Sequence, residues 1–167
     1  MRCETVPAAA GIALSERASF YLHAGQLLAS ATPAAVTTIL GSCVAVCLWD
    51  RRLSIGGLNH YLLPHWAGEG HSSPRFGNVA IELLLRQLQE LGCQTRSLEA
   101  KLFGGACVIG SFRQNGGDHL GTKNVELARR VLAGHGIPVA AQDVLGHKGR
   151  KLIFHTDQGT AWVRDLA

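Results

Sequence analysis

The chain has 167 residues, 47% of them hydrophobic and 17% charged, with a formal net charge of +4. That length fits one domain, able to bury about 70% of its unfolded surface without help from disulfides or metal, and the mixed composition excludes a fibrous or low-complexity protein. Five cysteines without a Cys-x-x-Cys pair match neither a zinc site nor a disulfide framework, and they point to a reducing compartment.

Residues 8–14 are weakly apolar, with Glu4 before them and Ser15-Glu16-Arg17 after, and do not read as a signal peptide. No stretch approaches the length of a membrane span. The expectation is a cytoplasmic protein without membrane insertion, in which residues 1–18 form a flexible leader and residues 19–167 one domain.

Residues 36–40 are apolar or β-branched and predict a strand, broken by Gly41-Ser42. Residues 43–49 are apolar throughout, as in a strand buried on both faces. Asp50-Arg51-Arg52 predicts a turn, and residues 55–63 the next strand, stopped by Pro64. Residues 64–77 predict a long loop, of a length that is often functional. Asn78 is a cap for a helix running to Leu91 and ended by Gly92; Ala80, Ile81, Leu84, Leu85, Leu88 and Leu91 fall on its one apolar face. Residues 98–103 predict a strand closed by Gly104-Gly105, either a plain turn or part of a site. Thr122 is a cap for a second helix through about Ala133, with Val125, Ala128, Val131 and Leu132 inward. Residues 137–144, 151–156 and 160–163 predict strands, the last two joined by Asp157-Gln158-Gly159. About seven strands and two helices, the strands often in succession, predict an α+β single domain with mixed or antiparallel sheets. No Gly-x-Gly-x-x-Gly and no P-loop suggest a nucleotide.

Within this frame Cys43 follows a glycine turn and His60 lies one strand later. Buried cysteines are most often small core hydrophobes. A Cys/His pair on adjoining strands instead makes a nucleophile, because an adjacent imidazolium lowers the thiol pKa from its usual value of about 8.5. Such a pair does not distinguish an amidohydrolase from a peptidase or a transglutaminase. Gly41, Ser42 and Asn59 flank the pair as candidates for substrate or oxyanion contacts, with the backbone N–H groups of Cys43 and Ser42 as the expected donors. His65 and His71 share a loop but lack a third ligand, so neither metal nor cofactor is expected. Lys148-Gly149-Arg150-Lys151 is the densest basic group; without interleaved aromatics it does not predict nucleic-acid binding.

Six blocks carry a resemblance. They are Leu40-Gly41-Ser42-Cys43-Val44-Ala45-Val46-Cys47-Leu48-Trp49-Asp50 with Gly56-Gly57-Leu58-Asn59-His60-Tyr61-Leu62-Leu63-Pro64, then Arg75-Phe76-Gly77-Asn78-Val79-Ala80-Ile81-Glu82-Leu83-Leu84, Lys101-Leu102-Phe103-Gly104-Gly105-Ala106, Gly121-Thr122-Lys123-Asn124-Val125, Gly136-Ile137-Pro138 and Gly149-Arg150-Lys151-Leu152-Ile153-Phe154. In this order they resemble the CheD family, the chemoreceptor glutamine deamidases of bacterial chemotaxis. The resemblance implies a β-sandwich flanked by helices and a cysteine-dependent amidohydrolase converting receptor glutamines to glutamate. The family cysteine falls on Cys43, the histidine on His60 and the threonine on Thr37, with Thr38 as the neighbour to exclude. It implies the cytoplasmic helices of methyl-accepting chemoreceptors as substrate. It also leaves open an adaptor role with the CheC phosphatase. The longer N-terminus and the Gly-Thr-Lys-Asn at 121–124 depart from many members of the family.

Overall fold

The strand at 44–50, apolar up to Trp49, is the centre of the architecture. In the computed structural model, which describes residues 2–3, 17–108 and 119–167, it is a strand buried on both faces. One face meets a second sheet and the other meets two helices.

The elements in chain order are β1 (Arg2–Cys3), β2 (Ala18–Tyr21), β3 (Leu27–Ser30), β4 (Ala34–Leu40), β5 (Val44–Asp50), β6 (Ile55–Asn59), α1 (Gly77–Glu90), β7 (Leu98–Gly104), α2 (Leu120–Gly134), β8 (Val139–Val144), β9 (Arg150–His155) and β10 (Ala161–Asp165). They form two five-stranded sheets. The outer sheet has the order β1-β10-β9-β4-β2 and the central sheet β3-β6-β5-β7-β8. Both are mixed: β2 with β4, and β7 with β8, are parallel, and the other pairs are antiparallel.

The layers follow from side-chain alternation. In β4, residues 34, 36, 38 and 40 are buried while 35, 37 and 39 are not, the period of two expected for a sheet with one covered face. The inward residues Val36 and Leu40 pack with Ala45, Cys47, Leu58, Phe103, Leu152 and Phe154 between the sheets. On the other side of the central sheet, Val44, Val46, Leu48 and Leu102 pack against Ile81, Leu84 and Leu88 of α1 and Val125, Ala128 and Leu132 of α2. The result is three layers, sheet on sheet with both helices on one flank, which agrees with the α+β sandwich expected.

Several local expectations shift. Among the described residues ten strands replace about seven; the additional ones, β1, β2 and β3, have four residues or fewer and are too short to show a pattern. The expected leader at 1–18 falls largely on residues 4–16, which lie outside the described residues, while Arg2–Cys3 pairs antiparallel with β10. Asn78 does not cap α1. Phe76 holds that position, and the Asn78 amide instead accepts from Trp66 N–H at 2.9 Å and donates to Trp66 C=O at 3.3 Å, tying down the loop that precedes the helix. Likewise α2 begins at Leu120, with His119 as its cap accepting from the Thr122 N–H. Leu91 lies beyond α1 and is 37% exposed.

Candidate active site

The chain passes from the outer sheet to the central sheet between β4 and β5, through Gly41-Ser42-Cys43. Each carbonyl of this turn is held. Gly41 C=O accepts from Ala106 N–H at 2.9 Å, Ser42 C=O from the Asn124 side-chain amide at 3.0 Å, and Cys43 C=O from Gly105 N–H at 2.8 Å. Gly104 and Gly105 both have positive φ, and a Cβ at Gly104 would overlap the Cys43 carbonyl oxygen. The glycine pair therefore supports the cysteine turn directly, where only glycine permits both the dihedral and the approach.

His60 lies just past β6. Its backbone is held at both ends by the turn preceding β3: its N–H donates to Gln26 C=O at 3.0 Å, and its C=O accepts from Gly25 N–H at 2.7 Å. Val44 and Tyr61 form an antiparallel bridge, so His60 stands opposite Ala45 and Cys43 opposite Leu62. Cys43 and His60 are then diagonal neighbours on the face of the central sheet that meets the outer sheet. Diagonal partners of this kind are about 7–8 Å apart at Cα, within reach of a long side chain.

The outer sheet contributes the third group. Thr38 is fully buried, and its Oγ1 lies 2.7 Å from the Leu22 carbonyl and 2.8 Å from His60 Nδ1. A hydroxyl has one proton and a carbonyl can only accept. The Thr38 proton therefore goes to Leu22, and Oγ1 accepts from Nδ1–H of His60. This fixes the histidine tautomer: Nε2 carries a lone pair. That atom is buried and has no hydrogen-bond partner among the described residues.

Thr38, not Thr37, is therefore the threonine against His60. Thr37 pairs with Tyr21 and Ile153 across the outer sheet and faces away from the sandwich. Alternation carried a signal for this: Thr38 shares a face with Val36 and Leu40, whose apolar side chains mark the inward side.

Burial also changes the expected charge state. It pushes the His60 pKa down to about 4; the Leu22 carbonyl opposes this and His23 adds to it. Burial likewise raises the Cys43 thiol, opposed by a hydrogen bond from its own backbone N–H. Both shifts favour the neutral thiol and the neutral imidazole over the ion pair that a lowered thiol pKa would require. Cys47 shares the inward face but is 1% exposed, and burial raises its thiol further still.

The flanking candidates divide. Gly41 and Ser42 anchor the turn through their carbonyls. Asn59 is fully buried, and its Oδ1 accepts from Val46 N–H at 2.9 Å, replacing a ladder bond within the central sheet. That side-chain oxygen is spent on structure rather than on a reacting group. His65 and His71 are exposed, and no group of three metal-ligating side chains occurs among the described residues. No helix among those residues is long and apolar enough to cross a membrane.

The family model described as CheD chemotactic sensory transduction matches residues 62–165. A probable chemoreceptor glutamine deamidase CheD 1 of Anaeromyxobacter dehalogenans is 53% identical over 150 residues, covering 90% of this chain and 86% of that protein. Probable chemoreceptor glutamine deamidases CheD of Sulfurimonas denitrificans and Rhodospirillum rubrum are 41% and 44% identical, covering 86% and 87% of this chain and 92% and 81% of theirs.

Proposed function

The chain belongs to the CheD family, and on that premise we propose that it hydrolyses the side-chain amide of particular glutamines on chemoreceptors, with Cys43 as nucleophile and His60 as base. The observation that carries this reading is the Thr38–His60 Nδ1 contact, which together with the Thr38–Leu22 bond assigns the ring proton to Nδ1 and leaves Nε2 without a partner among the described residues, on the face it shares with Cys43.

The chemistry follows from the neutral resting pair. As the sulfur attacks the carboxamide carbon, the thiol proton passes to His60 Nε2. The carbonyl oxygen takes up the negative charge and is met by the Cys43 N–H; removal of one such donor typically costs about 3 kcal/mol of barrier. The tetrahedral adduct collapses, the carbon–nitrogen bond breaks, and the imidazolium gives its Nε2 proton to the departing ammonia. A thioester remains. Water, deprotonated by the now neutral His60, attacks it, and glutamate and the thiol are released. Throughout, Thr38 Oγ1 keeps the Nδ1–H bond, so the imidazolium forms without reorientation, the positioning role of a third triad member.

The test is mass spectrometry of a chemoreceptor cytoplasmic fragment after incubation with the protein and with Cys43→Ala. The expected result is a Gln-to-Glu mass change at discrete sites with the wild type alone. No change on a fragment from the same organism would overturn the deamidase reading and favour an adaptor role beside a CheC phosphatase. A change with both proteins would overturn the nucleophile.

A further inference from the structure

Asn124 is a fully buried amide in the first turns of α2. Its Nδ2 donates to Ser42 C=O at 3.0 Å and to Leu62 C=O at 2.9 Å. Both of its protons are thereby committed. The register gives these bonds their meaning. Val44 and Tyr61 form an antiparallel bridge next to the site, with Cys43 and Leu62 one residue beyond it. Ser42 C=O precedes the cysteine, and Leu62 lies across from it on the segment that carries His60. One side chain thus ties the nucleophile turn to the histidine segment at the point where the two begin to part.

Two further contacts make Asn124 a fixed post rather than a chance neighbour. Its own backbone carbonyl accepts from the Tyr61 hydroxyl at 2.5 Å. Three residues earlier in the same helix, Gly121 packs directly on the carbonyl of Gly105, whose N–H holds Cys43 C=O. The other two turn carbonyls are held by backbone amides, so among the described residues Asn124 is the one side chain holding this turn. Its Oδ1 is buried with no partner among the described residues. Leaving a buried acceptor unpaired costs about 1–3 kcal/mol, so an apolar residue would suit the helix–sheet contact better if packing were the only demand.

We propose that Asn124 is a positioning residue for the reaction, setting the Cys43 sulfur against His60 by clamping the two segments together. The proposal rests on Cys43 and His60 being the reacting pair. It needs an amide at this place: a carboxylate has no donors, and aspartate would set lone pairs against two carbonyl oxygens.

The experiment compares wild type, Asn124→Ala and Tyr61→Phe by three readouts: deamidation of the receptor fragment resolved into kcat and KM, the pH profile of Cys43 alkylation by iodoacetamide, and amide hydrogen exchange. Displacing a reacting atom by about 1 Å can cost on the order of a hundredfold. Asn124→Ala is therefore expected to lower kcat about ten- to a hundredfold with KM within about twofold. The alkylation profile should move, and exchange at Val44 and Tyr61 should quicken while Leu152 in the outer sheet stays protected. Tyr61→Phe, which keeps the ring, should move all three in the same direction by less, and it carries the test if Asn124→Ala does not fold. Unchanged kcat and alkylation in a folded variant would overturn the clamp, as would faster exchange spread evenly over both sheets. Absence of wild-type deamidation would strike the enzymatic reading instead, and the alkylation and exchange readouts would still judge the clamp.

Discussion

Replacing Thr38 by valine removes one hydroxyl and changes little else, because the two side chains are nearly isosteric and the site is fully buried. The structure sets the consequence. That hydroxyl donates to Leu22 C=O at 2.7 Å and accepts from His60 Nδ1 at 2.8 Å. Without it, a buried carbonyl and a buried ring N–H both lose the hydroxyl between them and keep only each other, at up to about 1–3 kcal/mol. Part of that cost falls equally on resting enzyme and transition state and appears as lost stability. The remainder bears on catalysis, since the proton on Nδ1 is then held by the Leu22 carbonyl alone and the tautomer with Nε2 protonated cannot accept from the thiol. If about 1.4–2.8 kcal/mol of the loss is specific to the transition state, kcat falls about ten- to a hundredfold. The assay is ammonia release from a receptor fragment, with Thr37→Val as the paired control. Thr37 faces away from the sandwich, so its variant should stay within about twofold of wild type. Nitrogen-15 NMR of His60 provides a direct check: wild type should show the Nδ1–H tautomer and Thr38→Val should lose that preference. Activity lost in Thr37→Val and kept in Thr38→Val would refute the register and the tautomer argument together.

Two further expectations concern pH and the cysteine turn. The folded His60 pKa of about 4 lies below its ordinary 6.5. Between those values the unfolded chain binds a proton that the folded chain does not, so stability is full above about pH 6.5 and declines as pH falls toward 4, by about 3 kcal/mol over the window. His155 is lowered as well and adds to the same decline, so the quantity to measure is the difference between wild type and His60→Gln in urea unfolding at pH 7.5 and 4.5; an identical pH dependence would refute the depressed pKa. Gly104→Ala should destabilise the protein by at least about 2 kcal/mol, because the φ of 105° disfavours any side chain and the new methyl meets the Cys43 carbonyl. An unchanged urea midpoint would show that the turn tolerates a side chain there.

The layers and the approach of Cys43 to His60 were legible because their signals are local. An apolar run without alternation marks a strand covered on both faces, and residues 44–50 are that strand. A cysteine after Gly-Ser and a histidine after Gly-Gly-Leu-Asn sit at the ends of neighbouring strands, and antiparallel pairing then places them on one face. The choice between Thr37 and Thr38 turned on a single step of strand register. Side chains alternate with a period of two, so adjacent threonines of identical chemistry face opposite sides of the sheet. Propensity does not separate them, although the apolar neighbours at 36 and 40 did mark the inward face. The charge state of the pair was not legible either, because desolvation depends on how the outer sheet closes over His60, whereas residue types suggest only that thiol and imidazole will ionise each other. Least legible was Asn124, which reads in sequence as one polar residue on an amphipathic helix. Its meaning comes from contacts with Ser42 and Leu62, far away along the chain. Residue type and local setting are enough to mark Cys43 and His60 as candidates for nucleophile and base. Tertiary structure alone decided which groups hold them in place, because a hydrogen bond is directional and short-ranged and depends on where distant segments come to rest.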